Sequence, residues 1–281
     1  MPKNFVLYKS VRPNGHSKKK RLLVPAGFQI KKFGSLYLTS LGRSKLSRWS
    51  DSSRILRSLA YDRDLIARSV GLPKFFDFEK DSAYADRANA VGYRAWIKYD
   101  GSLIIRSVVR GRVSLRTRNS LATSELTYQA EQWAKSNCPA LLDPSWGEDY
   151  SLHFEYLNPK RQLVIPIERE ELVLLGGVNN QTLRLNTPEE IISGVPQAEE
   201  GLSEISRSKE FEINPEEEVA GLSKRIANLR IEGLVLRFDQ GQKMLRVKTD
   251  FYRESSASIF STCEAGTGTG AGTGGHTQSS K

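Results

Sequence analysis

Short segments with the composition and alternation of β-strands dominate residues 94–248, and they limit the folds that the chain can adopt. Turn-forming pairs of the hairpin type, such as Asp100-Gly101 and Gln240-Gly241, separate several of them. Because a hairpin makes neighbouring strands antiparallel, and helical periodicity is limited to residues 124–135 and 215–228, we predict an α+β fold built on antiparallel sheet. The predicted strands are 94–98, 102–109, 112–118, 151–156, 162–165, 172–175, 234–238 and 244–248.

Two kinds of site are disfavoured by what the sequence lacks. No glycine-rich phosphate loop of the P-loop or dinucleotide type is present, so side chains on strands would have to hold any bound nucleotide. Cys138 and Cys263 have no neighbouring Cys or His at the spacing of metal ligands, which argues against a structural zinc site and against a disulfide framework.

Features of membrane and secreted proteins are also missing from the sequence. No window reaches the roughly 18–20 apolar residues that a bilayer span needs. The N-terminal stretch has no apolar block followed by a small-residue cleavage site. We therefore expect a soluble, cytoplasmic protein without membrane contact.

Positive charge is concentrated at the N-terminal end. Residues 1–60 hold 14 Lys and Arg against one acid, a net charge of +13, whereas the other 221 residues hold 28 against 31, a net charge of −3. Such clustering favours a polyphosphate partner, because each neutralised phosphate releases counterions. The alternative is a solvated arm that only aids solubility. We divide the chain into a basic N-terminal segment (1–48), a strand-rich domain (49–262) and a flexible Gly/Thr-rich tail (263–281).

One predicted hairpin carries a lysine at the end of its first strand, in the segment Lys98-Tyr-Asp-Gly-Ser-Leu103. An amine is a nucleophile only when it is deprotonated, which desolvation beside an apolar strand and nearby cations would favour. The alternative is a surface hairpin with a solvated lysine, which is the commoner case for such a hexapeptide taken alone.

Charged side chains in three later segments complement that lysine. Glu155 lies in an otherwise apolar strand, where an unpaired carboxylate is costly and needs a cation, a metal or ligand hydroxyls. Glu232 precedes a glycine at the mouth of a strand. Arg246 and Lys248 are two residues apart on a strand and so point to the same face. Carboxylates and cations around a nucleophilic lysine suit phosphoryl chemistry on a polyphosphate.

In this order along the chain, the segments resemble the motifs of the covalent nucleotidyltransferases, and among them the phage-type RNA ligase 1-like ligases. KYDGS resembles motif I, HFEYLNPKRQLVI resembles motif III, EGLVLRF resembles motif IV and LRVKTDFY resembles motif V. The resemblance covers residues 49–252 and implies an ATP-grasp-like, antiparallel-sheet nucleotidyltransferase domain over residues 49–262.

The resemblance also implies roles for individual residues. Lys98 is the implied adenylated lysine, Glu155 the implied ligand of the ribose hydroxyls, and Glu232 the implied metal-site carboxylate. Lys248 is the implied contact to the α-phosphate, so that catalytic roles fall on Lys98, Glu232 and Lys248. The implied nucleotide contacts are Arg54, Lys74, Asp100, Gly101, Arg118, Glu155 and Arg246, and the implied metal ligands are Asp100, Glu155 and Glu232.

Several positions depart from the family pattern. The family has Arg-Gly where this chain has Arg54-Ile55, which leaves Arg57 as the alternative, and Arg118 stands where the family has a lysine. In the phage relatives a helical domain follows motif V, whereas residues 253–281 here are largely of low complexity. Substrate choice is therefore expected to lie elsewhere, on a separate specificity domain or a partner chain.

The function implied by the resemblance is that of an ATP-dependent RNA ligase. Such an enzyme uses ATP with Mg²⁺ or Mn²⁺, forms a lysyl-AMP intermediate, and joins the 5′-phosphate and 3′-hydroxyl ends of RNA. The alternatives are a DNA-nick ligase or capping-type nucleotidyltransferase, and an inactive subunit that binds RNA ends. The absence of an OB domain after motif V argues against the first pair, and the intact Lys98, Glu155, Glu232 and Lys248 argue against the last.

Overall fold

A computed structural model describes residues 7–9, 20–22, 24–42 and 49–265. Lys18 and Lys19, and the predicted tail from residue 266 onward, lie outside the described residues. The strands are β1 (Leu7–Lys9), β2 (Lys20–Leu22), β3 (Phe28–Phe33), β4 (Leu36–Leu41), β5 (Leu59–Asp62), β6 (Ala67–Val70), β7 (Arg94–Lys98), β8 (Ser102–Val109), β9 (Arg112–Arg116), β10 (Tyr150–Leu157), β11 (Glu171–Asn179), β12 (Leu185–Asn186), β13 (Ser206–Arg207), β14 (Glu210–Phe211), β15 (Gly233–Phe238) and β16 (Lys243–Lys248).

Helices begin where the sequence supplies capping residues. Ser124 and Thr187 each precede a helix, and the side chain of each accepts a hydrogen bond from the backbone N–H three residues later. The α-helices are α1 (Asp51–Arg54), α2 (Ser82–Val91), α3 (Glu125–Asn137), α4 (Pro188–Gly194), α5 (Ala198–Gly201), α6 (Val219–Ile226) and α7 (Asp250–Ala265), and 3₁₀ turns form at Ile55–Arg57, Phe78–Lys80, Pro139–Leu142 and Pro159–Arg161.

The strands form three larger sheets and the short ribbon β1–β2. The largest has the order β12-β11-β10-β8-β9, with β13 beside β11, and the other two have the orders β14-β7-β15-β16 and β3-β4-β5-β6. Every pairing of these strands is antiparallel except that of β11 with β13. This combination of helices and antiparallel sheet confirms the predicted α+β class.

Side-chain alternation gives the sheet of β7, β15 and β16 two different faces. The buried residues Ala95, Leu234 and Val247 belong to one core cluster together with residues of α2 and α6. The opposite face carries the alternate residues, among them Lys98 and Lys248, which flank Gly233 in register. The sequence pattern of these strands therefore places the charged side chains together, on the face away from that core.

The largest sheet is built in the same way. Ile104, Phe154 and Leu174 pack in a core cluster with residues of α3 and α4. Glu155, next to Phe154 on β10, points to the other face of this sheet. The two sheets thus turn the faces that carry Lys98 and Glu155 toward a common cleft, and both residues line one cavity there.

Residues before position 49 join this architecture through β-pairing. Strand β4 pairs with β5, so one sheet extends across the predicted boundary between residues 48 and 49. Leu22 and Leu59 share a core cluster with Val178 and Met244, which belong to the two other sheets. Where it is described, the basic N-terminal segment therefore packs against the rest of the chain. At the other end, α7 runs through Ala265, past the predicted start of the tail at residue 263.

The strand predicted at residues 162–165 is wrong. These residues form bends, because the backbone N–H groups of Val164 and Ile165 donate to the Asp100 carboxylate, at 2.9 and 3.1 Å, rather than to a neighbouring strand. Strand β9 likewise ends at Arg116, two residues before the predicted end. Among the helices that are described, none combines the length and apolar character needed to cross a bilayer.

Candidate active site

The hairpin lysine lies where three strands meet. Gly233 pairs with both Lys98 and Lys248, so the two amines lie on either side of one glycine. Gly233 has φ of +153°, and a Cβ atom there would lie 2.1 Å from the Val247 carbonyl oxygen. Only glycine fits this position, which keeps β15 close to β16 beside the lysines.

One buried carboxylate bridges the two amines. Glu232 is 5% exposed, and its Oε2 atom lies 2.7 Å from Lys98 Nζ while its Oε1 atom lies 3.6 Å from Lys248 Nζ. Burial lowers the pKa of Lys248, and the nearby Arg246 and Lys98 charges lower it further against the attraction of Glu232. The three predicted catalytic residues are thus in contact as one charged cluster.

Glu155 faces this cluster from the opposite sheet. Burial raises its pKa to about 7, with the positive charge of Lys98 opposing the shift and the negative charge of Glu232 adding to it. The backbone amide of Gly101 also opposes the rise in the pKa. A Cβ atom at Gly101 would lie 2.6 Å from the Tyr156 carbonyl oxygen, so the turn after Lys98 approaches β10 only because residue 101 is glycine.

Both carboxylate oxygens of Asp100 accept hydrogen bonds from other groups of the protein. Its Oδ1 atom accepts a hydrogen bond from the Tyr252 hydroxyl at 2.8 Å, and its Oδ2 atom accepts the two from Val164 and Ile165. Lys248 Nζ in turn lies 4.5 Å from the centre of the Tyr252 ring. Asp100 therefore ties the Lys98 turn to α7 and to the loop after residue 161.

Four cationic side chains near the predicted phosphate contacts influence the charges of one another. Burial lowers the pKa of Lys74 to about 8, and the charges of Arg57, Arg246 and Arg118 add to the effect. Burial also lowers the pKa of Arg57 to about 10, together with Arg118 and Arg246. Arg246 makes a two-pronged ion pair with Asp77, at 2.5 and 3.0 Å. We call Arg57, Lys74, Arg118 and Arg246 the cation cluster.

Arg54, which is also predicted to contact the nucleotide, is engaged by protein groups beside the cation cluster, and its nucleotide contact stays a prediction. Its guanidinium donates to Asp81 at 2.6 Å and to the Lys74 carbonyl at 3.2 Å, and it lies 3.8 Å from the centre of the Tyr84 ring. These contacts use Arg54 to hold α1 against the start of α2. Arg57, one helical turn further on, lies close enough to Lys74 for its charge to lower the pKa of that lysine.

The predicted metal ligands are not gathered into one set. Among the described residues, no group of three or more His, Cys, Asp and Glu side chains is arranged to hold a metal ion. Asp100 is occupied by three protein donors, which leaves Glu155 and Glu232. Mg²⁺ commonly binds one or two carboxylates together with phosphates and water, so these two residues fit a metal ion that arrives with a nucleotide.

A small cavity of about 70 Å³ lies at the inner end of the cleft. Lys98 and Glu155 line it together with apolar side chains that include Leu175 and Val235. Trp96 also lines it, and its buried Nε1 atom has no hydrogen-bond partner among the described residues. This cavity joins an apolar wall, an unpaired donor and the hairpin lysine.

Sequence reasoning missed several residues that build the site. Tyr252 is the last residue of the motif V segment, but nothing in the local pattern shows that its hydroxyl reaches Asp100, 152 positions away. Arg116 is fully buried and donates to the side chains and carbonyls of Ser58 and Ser69, which fixes the strand that leads to Arg118. An arginine among alternating strand residues carries no signal of such burial.

A family model described as RNA ligase matches residues 56–254. No curated protein matches the chain. The solved structure of Naegleria gruberi RNA ligase with PPi is similar over 66% of this chain and 57% of that one, with a TM-score of 0.53 and 13% identity. A mutant of that ligase with ATP and Mn is similar over 68% and 56%, with a TM-score of 0.51 and 12% identity. The match spans little more than half of the Naegleria chain, and at this identity it establishes the fold.

Proposed function

The chain belongs to the RNA ligase family, and from this membership we propose that it is an ATP-dependent enzyme that joins RNA 5′-phosphate and 3′-hydroxyl ends through a lysyl-AMP intermediate. The observation that carries the proposal is the contact of Lys98 with Glu232, 2.7 Å apart, beside Lys248. A lysine, a proton-accepting carboxylate and a second cation at one strand mouth are the groups that nucleotidyl transfer to an amine requires.

In the first step, Lys98 Nζ bonds to the α-phosphorus of ATP and the bond from that phosphorus to the pyrophosphate oxygen breaks. The lysine must lose a proton to attack, and Glu232 is in hydrogen-bond contact to receive it. Lys248 forms an ion pair with the same Glu232 carboxylate and stabilises the negative charge on the α-phosphate. A divalent metal ion held by Glu155 and Glu232 would neutralise further phosphate charge when bound.

The nucleotide is held by groups on both sheets. The cavity lined by Trp96, Leu175 and Val235 takes the base, whose ring nitrogens can accept from the unpaired Trp96 Nε1. Glu155 accepts from the ribose hydroxyls. The cation cluster receives the outer phosphates, because four mutually repelling cations gain most from an added anion. Arg57 rather than Arg54 completes this set.

The later steps transfer AMP to RNA and then release it. A 5′-phosphate oxygen bonds to the AMP phosphorus, the bond to Lys98 Nζ breaks, and Glu232 returns the proton it received, so that the lysine leaves as an amine. A 3′-hydroxyl oxygen next bonds to the 5′-phosphorus, AMP leaves, and the hydroxyl proton passes to solvent. We also propose that substrate choice depends on a separate domain or partner chain and that the protein is cytoplasmic. The proposed catalytic domain covers residues 49–262, and β4 extends its sheet by pairing with β5.

Intact mass spectrometry tests the first step. Incubation with ATP and Mg²⁺ should add the mass of one AMP to the protein, and Lys98→Ala should abolish the addition. Lys98→Arg is the sharper control, because it keeps a cation next to Glu232 while removing the amine nucleophile. An adduct formed from GTP instead would favour the capping alternative. A folded wild-type protein without any adduct would favour the inactive end-binding subunit.

A further inference from the structure

A second cavity adjoins the reactive lysine. It measures about 470 Å³, within the range of small-ligand sites, and Lys98 and Tyr99 line both it and the smaller base cavity. Its outer wall is formed by the loop of Ile165, Pro166 and Ile167. We call it the loop cavity. A ligand there would lie against the lysine without occupying the base cavity.

The wall of the loop cavity is already in place. Asp100 accepts hydrogen bonds from the N–H groups of Val164 and Ile165, and the Ile167 N–H donates to the Gln162 side chain at 3.1 Å. Since Asp100 belongs to the Lys98 turn, the loop and the lysine are held by one carboxylate. The wall of the cavity therefore has a fixed position relative to Lys98.

The loop cavity and the cation cluster have opposite electrostatic character. Four carboxylates but only two cations line the cavity. The carboxylates are those of Asp100, Glu168, Glu171 and Glu232, and the cations are Lys98 and Arg169. Arg169 is itself paired with Glu171 at 3.0 Å. Such a lining disfavours a phosphate. Since Asp100 is occupied by protein donors, Glu168 and Glu171 are the carboxylates that would accept hydrogen bonds from the hydroxyl groups of a ligand.

The remaining lining is apolar and includes Leu157, Pro166 and Ile231. An uncharged ligand with hydroxyl donors and a flat apolar surface fits these features. Resting on the proposed ligase activity, we infer that the loop cavity binds the 3′-terminal nucleoside of the RNA strand that supplies the 3′-hydroxyl. The phosphate-bearing strand is assigned to the cationic side of Lys98, where the cation cluster lies.

Pre-adenylated RNA isolates the sealing step, because it bypasses both the reaction of ATP with Lys98 and the transfer to the 5′-phosphate. Ile167→Ser exposes a polar group where the terminal nucleoside would pack. We expect the KM for the 3′-hydroxyl acceptor to rise about fivefold to tenfold, the loss typical of one missing apolar contact. Ile167→Val should restore most of the affinity.

Leu163→Ser is the matched control, since Leu163 lies in the same loop but is 57% exposed and does not line the cavity. It should seal with the wild-type KM. Self-adenylation with ATP, measured on Ile167→Ser, separates a binding defect from misfolding, because a folded variant still acquires AMP.

Two results would overturn the inference while leaving the ligase proposal intact. One is an unchanged acceptor KM in Ile167→Ser. The other is a defect confined to AMP transfer onto 5′-phosphorylated RNA, which would place the phosphate-bearing end in the loop cavity. A wild-type protein that neither acquires AMP nor seals pre-adenylated RNA would overturn the proposed function itself, and the inference with it.

Discussion

At the scale of single residues, Glu155 is set apart by a carboxyl group whose pKa is raised from 4.5 to about 7, chiefly by burial. Below pH 4.5 both the folded and the unfolded chain hold this proton, so Glu155 causes no pH dependence. Between pH 4.5 and 7 the unfolded chain releases it first, and the folded state loses stability as the pH rises.

Glu155→Gln removes the ionisation and should therefore stabilise the protein at pH 8 relative to wild type, by on the order of 1–3 kcal/mol. The gain should shrink toward zero at pH 5. Urea unfolding at both pH values measures it, with the exposed Glu199→Gln as the control that should show no such trend. An equal effect of Glu155→Gln at pH 5 and pH 8 would mean that ordinary packing changes, rather than ionisation, set its stability.

The two arginines near the start of the domain give a second test at this scale. Arg57→Ala should raise the KM for ATP in self-adenylation about tenfold or more, because it removes a charge from the cation cluster. Arg54→Ala should instead lower stability by about 2–4 kcal/mol, since it leaves Asp81 unpaired at a largely buried site. Loss of adenylation in a stably folded Arg54→Ala would show that Arg54 holds the nucleotide after all.

At the scale of elements, the connection between the Lys98 turn and α7 runs through one tyrosine. Tyr252→Phe removes the hydrogen bond to Asp100 but keeps the ring beside Lys248, and should cost about 1–2 kcal/mol of stability. Tyr252→Leu also removes the ring, so it should lower the adenylation rate further than Phe does. Equal adenylation rates for the two variants would show that the ring does not position Lys248.

The elements also show what the sequence could predict. Strands β7, β8, β10, β15 and β16 were predictable because their apolar residues alternate or run together between turn residues. The run Leu163-Val164-Ile165 has the same composition, yet it forms a loop because Asp100 takes its amides. Arg57 and Arg54 differ by one helical turn, so only the three-dimensional position of Lys74 separates them. Contacts between distant segments determine the loop at residues 163–165, and they are the basis for proposing Arg57.

At the scale of the whole molecule, the excess of positive charge near the N-terminus calls for an experiment on RNA binding. Replacing Lys18, Lys19, Lys20 and Arg21 by Ser keeps the chain length while removing the densest basic run. We expect weaker RNA binding, with self-adenylation unchanged. The slope of the logarithm of the binding constant against the logarithm of the salt concentration should become shallower by about 0.7 for each lost phosphate contact.

The matched control neutralises four exposed cations on other elements, Arg63, Arg112, Lys135 and Lys224, and should leave the slope nearer to wild type. The same slope and affinity in both variants would indicate a solvated segment with no RNA contact. Loss of self-adenylation in the N-terminal variant would instead indicate that its charge serves the fold, which joins β4 to β5 across residue 49.

The sharing of Glu232 between Lys98 and Lys248 has a consequence for how the enzyme's two forms differ. An amine that carries AMP is no longer an ammonium ion, and the attached phosphate brings a negative charge. Adenylation would thus make the net charge of the protein more negative by about two units. It would also leave Glu232 with Lys248 alone as its cationic partner in this cluster. The loaded and unloaded enzymes should therefore elute separately from a cation-exchange column, which would allow each to be prepared pure without any mutation.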